Sequence, residues 1–228
     1  MAVLLIILAV VMVLAVLPQM WVKRAIERHS AERADFPGTG GEFARHVLDG
    51  MMLHDVKVEE THLGDHYDPE AKAVRLLPGH YKGRSLAAVV IAAHEVGHAI
   101  QDATGYKPLA ARTRIARQAQ RIEQVGAVVM LAAPLVLALA KAPHLILVQV
   151  LAGMAILAST VLMHAMTLPV ELDASFRRAL PLLEAGRFVR EEDMPAARQI
   201  LRAAAFTYVA AAAMSLLDVM RWFRVIRI

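Results

Sequence analysis

Two histidines four residues apart, His94 and His98, stand in the run His94, Glu95, Val96, Gly97, His98. On a helix, positions i and i+4 lie side by side on one face. Both imidazoles can then reach one Zn²⁺ at about 2.0–2.1 Å, leaving room for a third protein ligand and a water. Glu95, one residue further round, flanks that open position. There it can take a proton from a water that the metal has acidified and later hand it to a leaving amine. A chain of this composition is expected to hold roughly 0.02 such matches at random. A single His in an apolar helix is more often a packed residue than a ligand. The metal reading is favoured here by context: Leu86 to Ala93 is apolar, a strand is predicted just upstream, and the small Gly97 leaves space beneath the metal for another element.

A third ligand must come from His, Asp or Glu, because the chain has no Cys. The same absence excludes a disulfide framework, thiolate metal sites and a cysteine nucleophile. Glu171 stands in Leu168, Pro169, Val170, Glu171, Leu172, Asp173, Ala174, Ser175. A carboxylate leaving an apolar run is costly unless it is paired or bound to metal. The same residue also suits the start of a helix after Pro169, where a carboxylate favours the N-terminal dipole. Asp173 and His66 are rival ligands, and the residues alone leave the choice open. His66, Tyr106 and Arg178 are candidate donors to a tetrahedral oxyanion, and each is equally well explained by turn packing or a solvated face.

The elements that must position these residues are strongly apolar. Of 228 residues, 57% are hydrophobic and 20% charged, beyond the roughly 45–50% apolar usage of ordinary soluble domains. Met1 to about Trp21 predicts a first transmembrane helix, its twenty or so residues crossing a hydrocarbon core of roughly 30 Å. With no basic stretch before it and no small-residue cleavage site after it, it reads as an uncleaved anchor. Val125 to Ala140 and Leu145 to Val170, separated by only four residues, predict a tight transmembrane hairpin. Ala203 to Leu217 predicts a fourth helix, which spans only if neighbouring residues are drawn in, so the expected count is four spans, or three. The net charge of +4 gathers beside these runs rather than in a basic stripe with aromatics, which argues against nucleic acid. Arg24 and Arg28, Arg112 to Arg121, and Arg177 to Arg190 place both intervening segments on the cytoplasmic side by the positive-inside rule. The hairpin returns the chain to the same side, so both segments can build one site. Arg221, Arg224 and Arg227 disagree with that topology. The expected organisation is an anchor over 1–22, a catalytic region over 23–122, the hairpin over 123–170, a water-facing helical segment over 171–200 carrying the third ligand, and a membrane helix with a basic tail over 201–228.

Within the catalytic region, Gly38 to Gly41 read as a flexible break and Glu42 to Gly50 as a short helix with Phe43, Val47 and Met51 on one face. Asp55 to Thr61 and Ala73 to Leu77 alternate as strands, and Gly64, Asp65, Asp68 and Pro69 between them signal a turn. Ser85 is placed to cap the helix that runs to about Ala103.

Taken together, Gly64 to Pro69, Tyr81, Ser85 to Gln101 with its His94-Glu95-Val96-Gly97-His98 core, Gly105, Tyr106, and Leu168 to Glu171 resemble the YugP-type neutral zinc metallopeptidases of bacterial membranes. The likeness covers nearly the whole chain, including Thr207 to Ala210. These proteins are in turn similar to the gluzincin membrane peptidases of the HtpX and CAAX-protease type, in which a carboxylate after a transmembrane hairpin completes the zinc site. The resemblance implies Glu171 as third ligand to one Zn²⁺ per chain. It implies a mainly α membrane protein with a small zincin-like α+β catalytic part and a short β-hairpin before the His-Glu-x-x-His helix. In the broader group an acidic residue follows the third ligand by four positions; Ser175 stands there in this chain, with Asp173 as a substitute. The implied activity is hydrolysis of peptide bonds in protein or peptide substrates, unfolded or membrane-proximal, by an enzyme embedded in the bacterial inner membrane and facing the cytoplasm. The strand Ala73 to Leu77 could add an extended substrate to its edge. The alternatives are a noncatalytic zinc-stapled scaffold or chaperone and a site-2-type intramembrane protease. A structural zinc site would close its fourth position and has no use for Glu95. The site-2 reading needs its acidic motif after the zinc helix, whereas Leu48, Asp49, Gly50 precede it.

Overall fold

In the computed structural model, residues 16–17, 19–140 and 143–206 are described. Thr39 opens helix α1 (Gly40–Gly50) with a capping box: its hydroxyl accepts the Glu42 N–H at 3.2 Å and the Glu42 carboxylate accepts the Thr39 N–H at 2.8 Å. Reciprocal satisfaction of two orphan donors draws Gly40 and Gly41 into the helix, where a flexible break was expected. The face carrying Phe43, Ala44, Val47 and Leu48 is buried, whereas Met51 falls past the helix end and is exposed.

Three short strands follow: β1 (Lys57–Glu60), β2 (His66–Asp68) and β3 (Ala73–Leu76), in the order β1-β3-β2. β1 runs parallel to β3, pairing Lys57 with Ala73 and Glu60 with Leu76, and β2 runs antiparallel to β3. The expected hairpin between the first and last of these strands is therefore corrected. The stretch read as one turn reverses the chain twice and contributes a strand of its own, so β3 returns in the direction of β1. The second reversal is built by Asp68, whose carboxylate accepts the N–H groups of Glu70 and Ala71, and by Lys72 at φ 46°. Arg75 in the central strand binds Glu59 at 3.0 Å on one side and Asp68 at 2.7 Å on the other.

After the four-residue helix α2 (Pro78–Tyr81) comes α3 (Leu86–Ala103), capped by Ser85, whose hydroxyl accepts the Ala88 N–H at 3.1 Å. Every residue of α3 from Leu86 to Gln101 is buried. Its apolar composition is that of a central core helix, surrounded by α1, the sheet and the segments over residues 173–185. Gly105 at φ 65° turns the chain out of α3, a backbone conformation that favours glycine. Helix α4 (Lys107–Ala140) and helix α5 (Pro143–Leu172) then form a long antiparallel hairpin. A π-helical segment, Asp173–Ala179, continues from α5 into α6 (Leu180–Ala185), and a helix over 194–206 closes the described chain.

The expectation of four membrane-spanning helices is overturned, since among the described residues no helix is long and apolar enough to cross a membrane. Residues of α4 up to Glu123 carry Lys107, Arg112, Arg114, Arg117 and Arg121, which restricts its apolar stretch to the far half. The last turns of α5 are spent inside the protein, with Thr167, Val170 and Glu171 buried. Most of the expected first helix and the bulk of the expected fourth lie outside the described residues. The hairpin itself turns large apolar side chains outwards, among them Val125, Val128, Leu131, Leu151 and Met154.

Candidate metal centre

The helical spacing of His94 and His98 sets their rings edge to face, 4.8 Å apart between centroids, on one side of α3. Glu171, at the end of α5, meets them: its Oε2 lies 3.1 Å from His94 Nε2 and 3.3 Å from His98 Nε2. All three side chains are buried, and their ligating atoms lie within 4.8 Å of one another. A tetrahedral cation at about 2.1 Å from each would need such atoms roughly 3.4 Å apart. Two imidazole nitrogens and a carboxylate oxygen are also the donor set that Zn²⁺ takes in open sites. The residues present fit the metal.

The close approach depends on Gly97. A Cβ there would stand 2.7 Å from the Ala174 carbonyl oxygen, so only glycine lets the π-helical segment lie on α3. The widened turn of that segment also carries Ser175 to the back of His94, at 3.0 Å from Nδ1. Ser175 donates its own hydroxyl to the Leu201 carbonyl at 3.2 Å, so its oxygen is left to accept the His94 Nδ1–H. His98 Nδ1 faces Gln101 Oε1 at 2.9 Å, and the Gln101 amide is oriented by donating Nε2–H to the Val170 carbonyl and to Asp173 Oδ2. Both rings thus have an Nδ1–H held in place and turn Nε2 towards Glu171, the nitrogen that a metal would take.

Glu95 is buried at 6% exposure and lines a cleft of about 560 Å³ beside the cluster. Burial pushes its carboxyl up to about 7; the His94 charge opposes the rise, while Glu171 and Asp65 add to it. Burial acts on Glu171 in the same direction, but the charges and hydrogen bonds of His98 and His94 outweigh it and hold this carboxyl well below the usual range. Two neighbouring carboxyls are thereby separated in character: an anion fixed among the imidazoles and a base poised near neutrality.

Of the remaining candidate site residues, His66, Tyr106, Asp173 and Arg178, only His66 lines the cleft, with Nδ1 bonded to the Gly64 carbonyl at 2.8 Å. Asp173 points behind the cluster, accepting from Gln101 and Arg178 at 2.8 and 3.3 Å. Arg178 lies over the Tyr106 ring at 6.0 Å, and neither side chain lines the cleft. Sequence reasoning gave no site role to Gln101, Tyr67 or Arg112. Gln101 lies three residues beyond His98, a spacing that places the two together on a helix. Tyr67, on β2, donates its hydroxyl to Asp102 of α3 at 2.8 Å. Arg112, on α4, reaches Glu171 Oε1 at 2.9 Å.

Residues 4–227 match the model of a family described as "Putative neutral zinc metallopeptidase". The chain is 36% identical over 206 residues to the "Putative membrane protease YugP" of Bacillus subtilis (strain 168), a match covering 90% of this chain and 88% of that protein. No solved structure matches.

Proposed function

The chain belongs to the neutral zinc metallopeptidase family, and we propose from its site that it is a zinc-dependent endopeptidase acting on protein or peptide substrates at a membrane surface. One observation carries the reading: the Nε2 atoms of His94 and His98 converge on Glu171 Oε2 beside an open cleft whose wall holds Glu95. His94, His98 and Glu171 would hold one Zn²⁺. When bound, the zinc polarises the scissile carbonyl and raises the acidity of water. Glu95 accepts the proton of the attacking water and delivers it to the departing nitrogen. A carboxyl pushed up towards neutrality by burial is suited to both transfers. His66 is the one predicted oxyanion donor that lines the cleft.

The strand for an extended substrate is β2. β3, to which that role fell by sequence, is flanked on both sides and has no free edge, whereas β2 is an edge strand and its His66 and Tyr67 line the cleft. A substrate paired there would run along the cleft that Glu95 also lines, which favours unfolded or extended segments. Action at a membrane is supported by the name of the Bacillus relative, a membrane protease. The outward apolar residues of the hairpin and the arginines at the site end of α4, which suit an anionic lipid surface, agree with it.

The test is metal content together with cleavage of an unfolded protein such as casein, on wild type, Glu95→Gln and Glu171→Ala. Wild type should hold one zinc and cut. Glu95→Gln should keep the zinc and lose roughly 10²–10⁴-fold in rate, and Glu171→Ala should lose the metal. Zinc retained by Glu171→Ala, or cleavage retained by Glu95→Gln, would sink the assignment.

A further inference from the structure

We propose that Arg112 is a positioning residue that confines Glu171 to one-oxygen ligation, an inference that rests on the metal-centre reading above. The two residues are far apart in sequence but matched in height along the hairpin. Arg112 lies 28 residues before Ala140, the last residue of α4, and Glu171 lies 28 residues after Pro143, the first of α5. At the same rise per residue in both helices, an antiparallel pair brings them level.

The contacts divide the carboxylate between two tasks. Oε2 faces both imidazoles, at 3.1 and 3.3 Å, while Oε1 takes the Arg112 Nη1–H at 2.9 Å. Glu171 is 1% exposed, so an Oε1 without this partner would be a buried anionic oxygen turned away from water, which is costly. A carboxylate can hold a cation through one oxygen or two. With Oε1 engaged in a charge-assisted hydrogen bond, only Oε2 is available to a cation between the histidines, and the position that a second oxygen would take stays free for water or substrate. Arg112 itself lines the cleft. The open fourth position is thus maintained from α4, an element that supplies none of the three ligands.

The measurement is the visible spectrum of the Co²⁺-loaded full chain, in which four-coordinate cobalt absorbs far more strongly than five-coordinate, with Co²⁺ affinity followed by chelator competition. Arg112→Met should still bind Co²⁺ through His94, His98 and Glu171, but with a marked loss of band intensity as Oε1 joins the metal, and with affinity changed about 10- to 100-fold. Arg112→Lys, which keeps a cation and an N–H donor, should recover the wild-type spectrum. Should Arg112→Met not fold, Arg112→Gln removes the charge with less loss of polarity, and the same fall in intensity is expected. A wild-type spectrum from the Met or Gln variant, or failure of the Lys variant to recover it, overturns the proposal and leaves the metal centre standing. Co²⁺ bound by His94→Ala with the wild-type spectrum would instead overturn the metal centre, and the role of Arg112 with it.

Discussion

Replacing Gly97 by Ala tests how tightly the third ligand depends on backbone packing. The new Cβ would stand 2.7 Å from the Ala174 carbonyl oxygen, with the carbonyl carbon at 3.3 Å and Cα at 3.4 Å. Ordinary contact begins near 3.4 Å, so the π-helical segment must retreat from α3 by about 0.7 Å, and backbone, unlike a side-chain tip, cannot swing aside. Overpacking of this kind costs about 1–3 kcal/mol, and up to about 1 kcal/mol returns through the better helix propensity of Ala. Global stability of the metal-free chain should therefore fall by no more than about 3 kcal/mol, well within what a urea titration resolves. The larger effect belongs to the site. Glu171 lies three residues before Ala174, and a retreat of about 0.7 Å exceeds the roughly 0.5 Å within which a functional constellation must be held. Zinc affinity, read by competition with a chromophoric chelator, should weaken about 10- to 100-fold, and Gly97→Val should weaken it further. A folded Gly97→Ala protein with wild-type zinc affinity would refute the claim that contact between α3 and the π-helical segment sets the position of Glu171.

Ser175→Ala and Gln101→Leu should each weaken zinc binding about 10- to 100-fold by releasing the Nδ1 proton of one histidine, checked by the same competition assay. Tyr67→Phe removes the hydroxyl that ties β2 to Asp102 of α3 and should cost about 1–2 kcal/mol in urea unfolding, with β2 amides exchanging faster. The Asp68 carboxyl is held below its ordinary value, chiefly by the Ala71 N–H, with Glu70 N–H and Arg75 adding to it against the opposing effect of burial. A depressed folded pKa contributes stability that is complete above the unfolded value of about 3.9 and lost as pH falls through the folded one. Asp68→Asn should accordingly flatten the acid limb of a stability–pH curve below about pH 4 while leaving its shape near neutrality unchanged.

The site was legible where chemistry is carried by local spacing. His94, Glu95 and His98 share one helix, so their i, i+4 geometry follows from sequence alone, as does the cap at Ser85. The space beneath Gly97 was also readable, because a glycine in an otherwise apolar helix has few other uses. The partner that fills it, the Ala174 backbone, was not, since the π-helical widening that brings it there has no periodic signature. The strand β2 was hidden for a related reason. Three residues, His66, Tyr67 and Asp68, are too few to display alternation, and the flanking Gly64 and Pro69 dominate any reading of the segment as a turn. Without that strand, β1 and β3 could only be paired as a hairpin, and the substrate edge was assigned to the strand that turns out to be central.

The membrane expectation went astray on a different ground. Hydrophobicity counted along a chain measures removal from water and does not distinguish lipid from protein as the agent of removal. Helix α3 makes the ambiguity concrete: Leu86 to Ala93 is as apolar as the other runs, and it is buried entirely by protein. The same holds at the end of α5, where Val170 and Glu171 are covered by the elements that build the metal centre. What separates the two cases is the polar residue at the end of the run. A carboxylate that closes an apolar stretch needs a partner wherever it is buried, and here Arg112, His94 and His98 supply it. The far half of the hairpin carries no carboxylate, and among the described residues Val125, Val128, Leu131 and Leu151 face the outside. One pair of helices thus carries a protein-facing end that builds chemistry and a far end where, among the described residues, Val125, Val128, Leu131, Leu151 and Met154 face outwards.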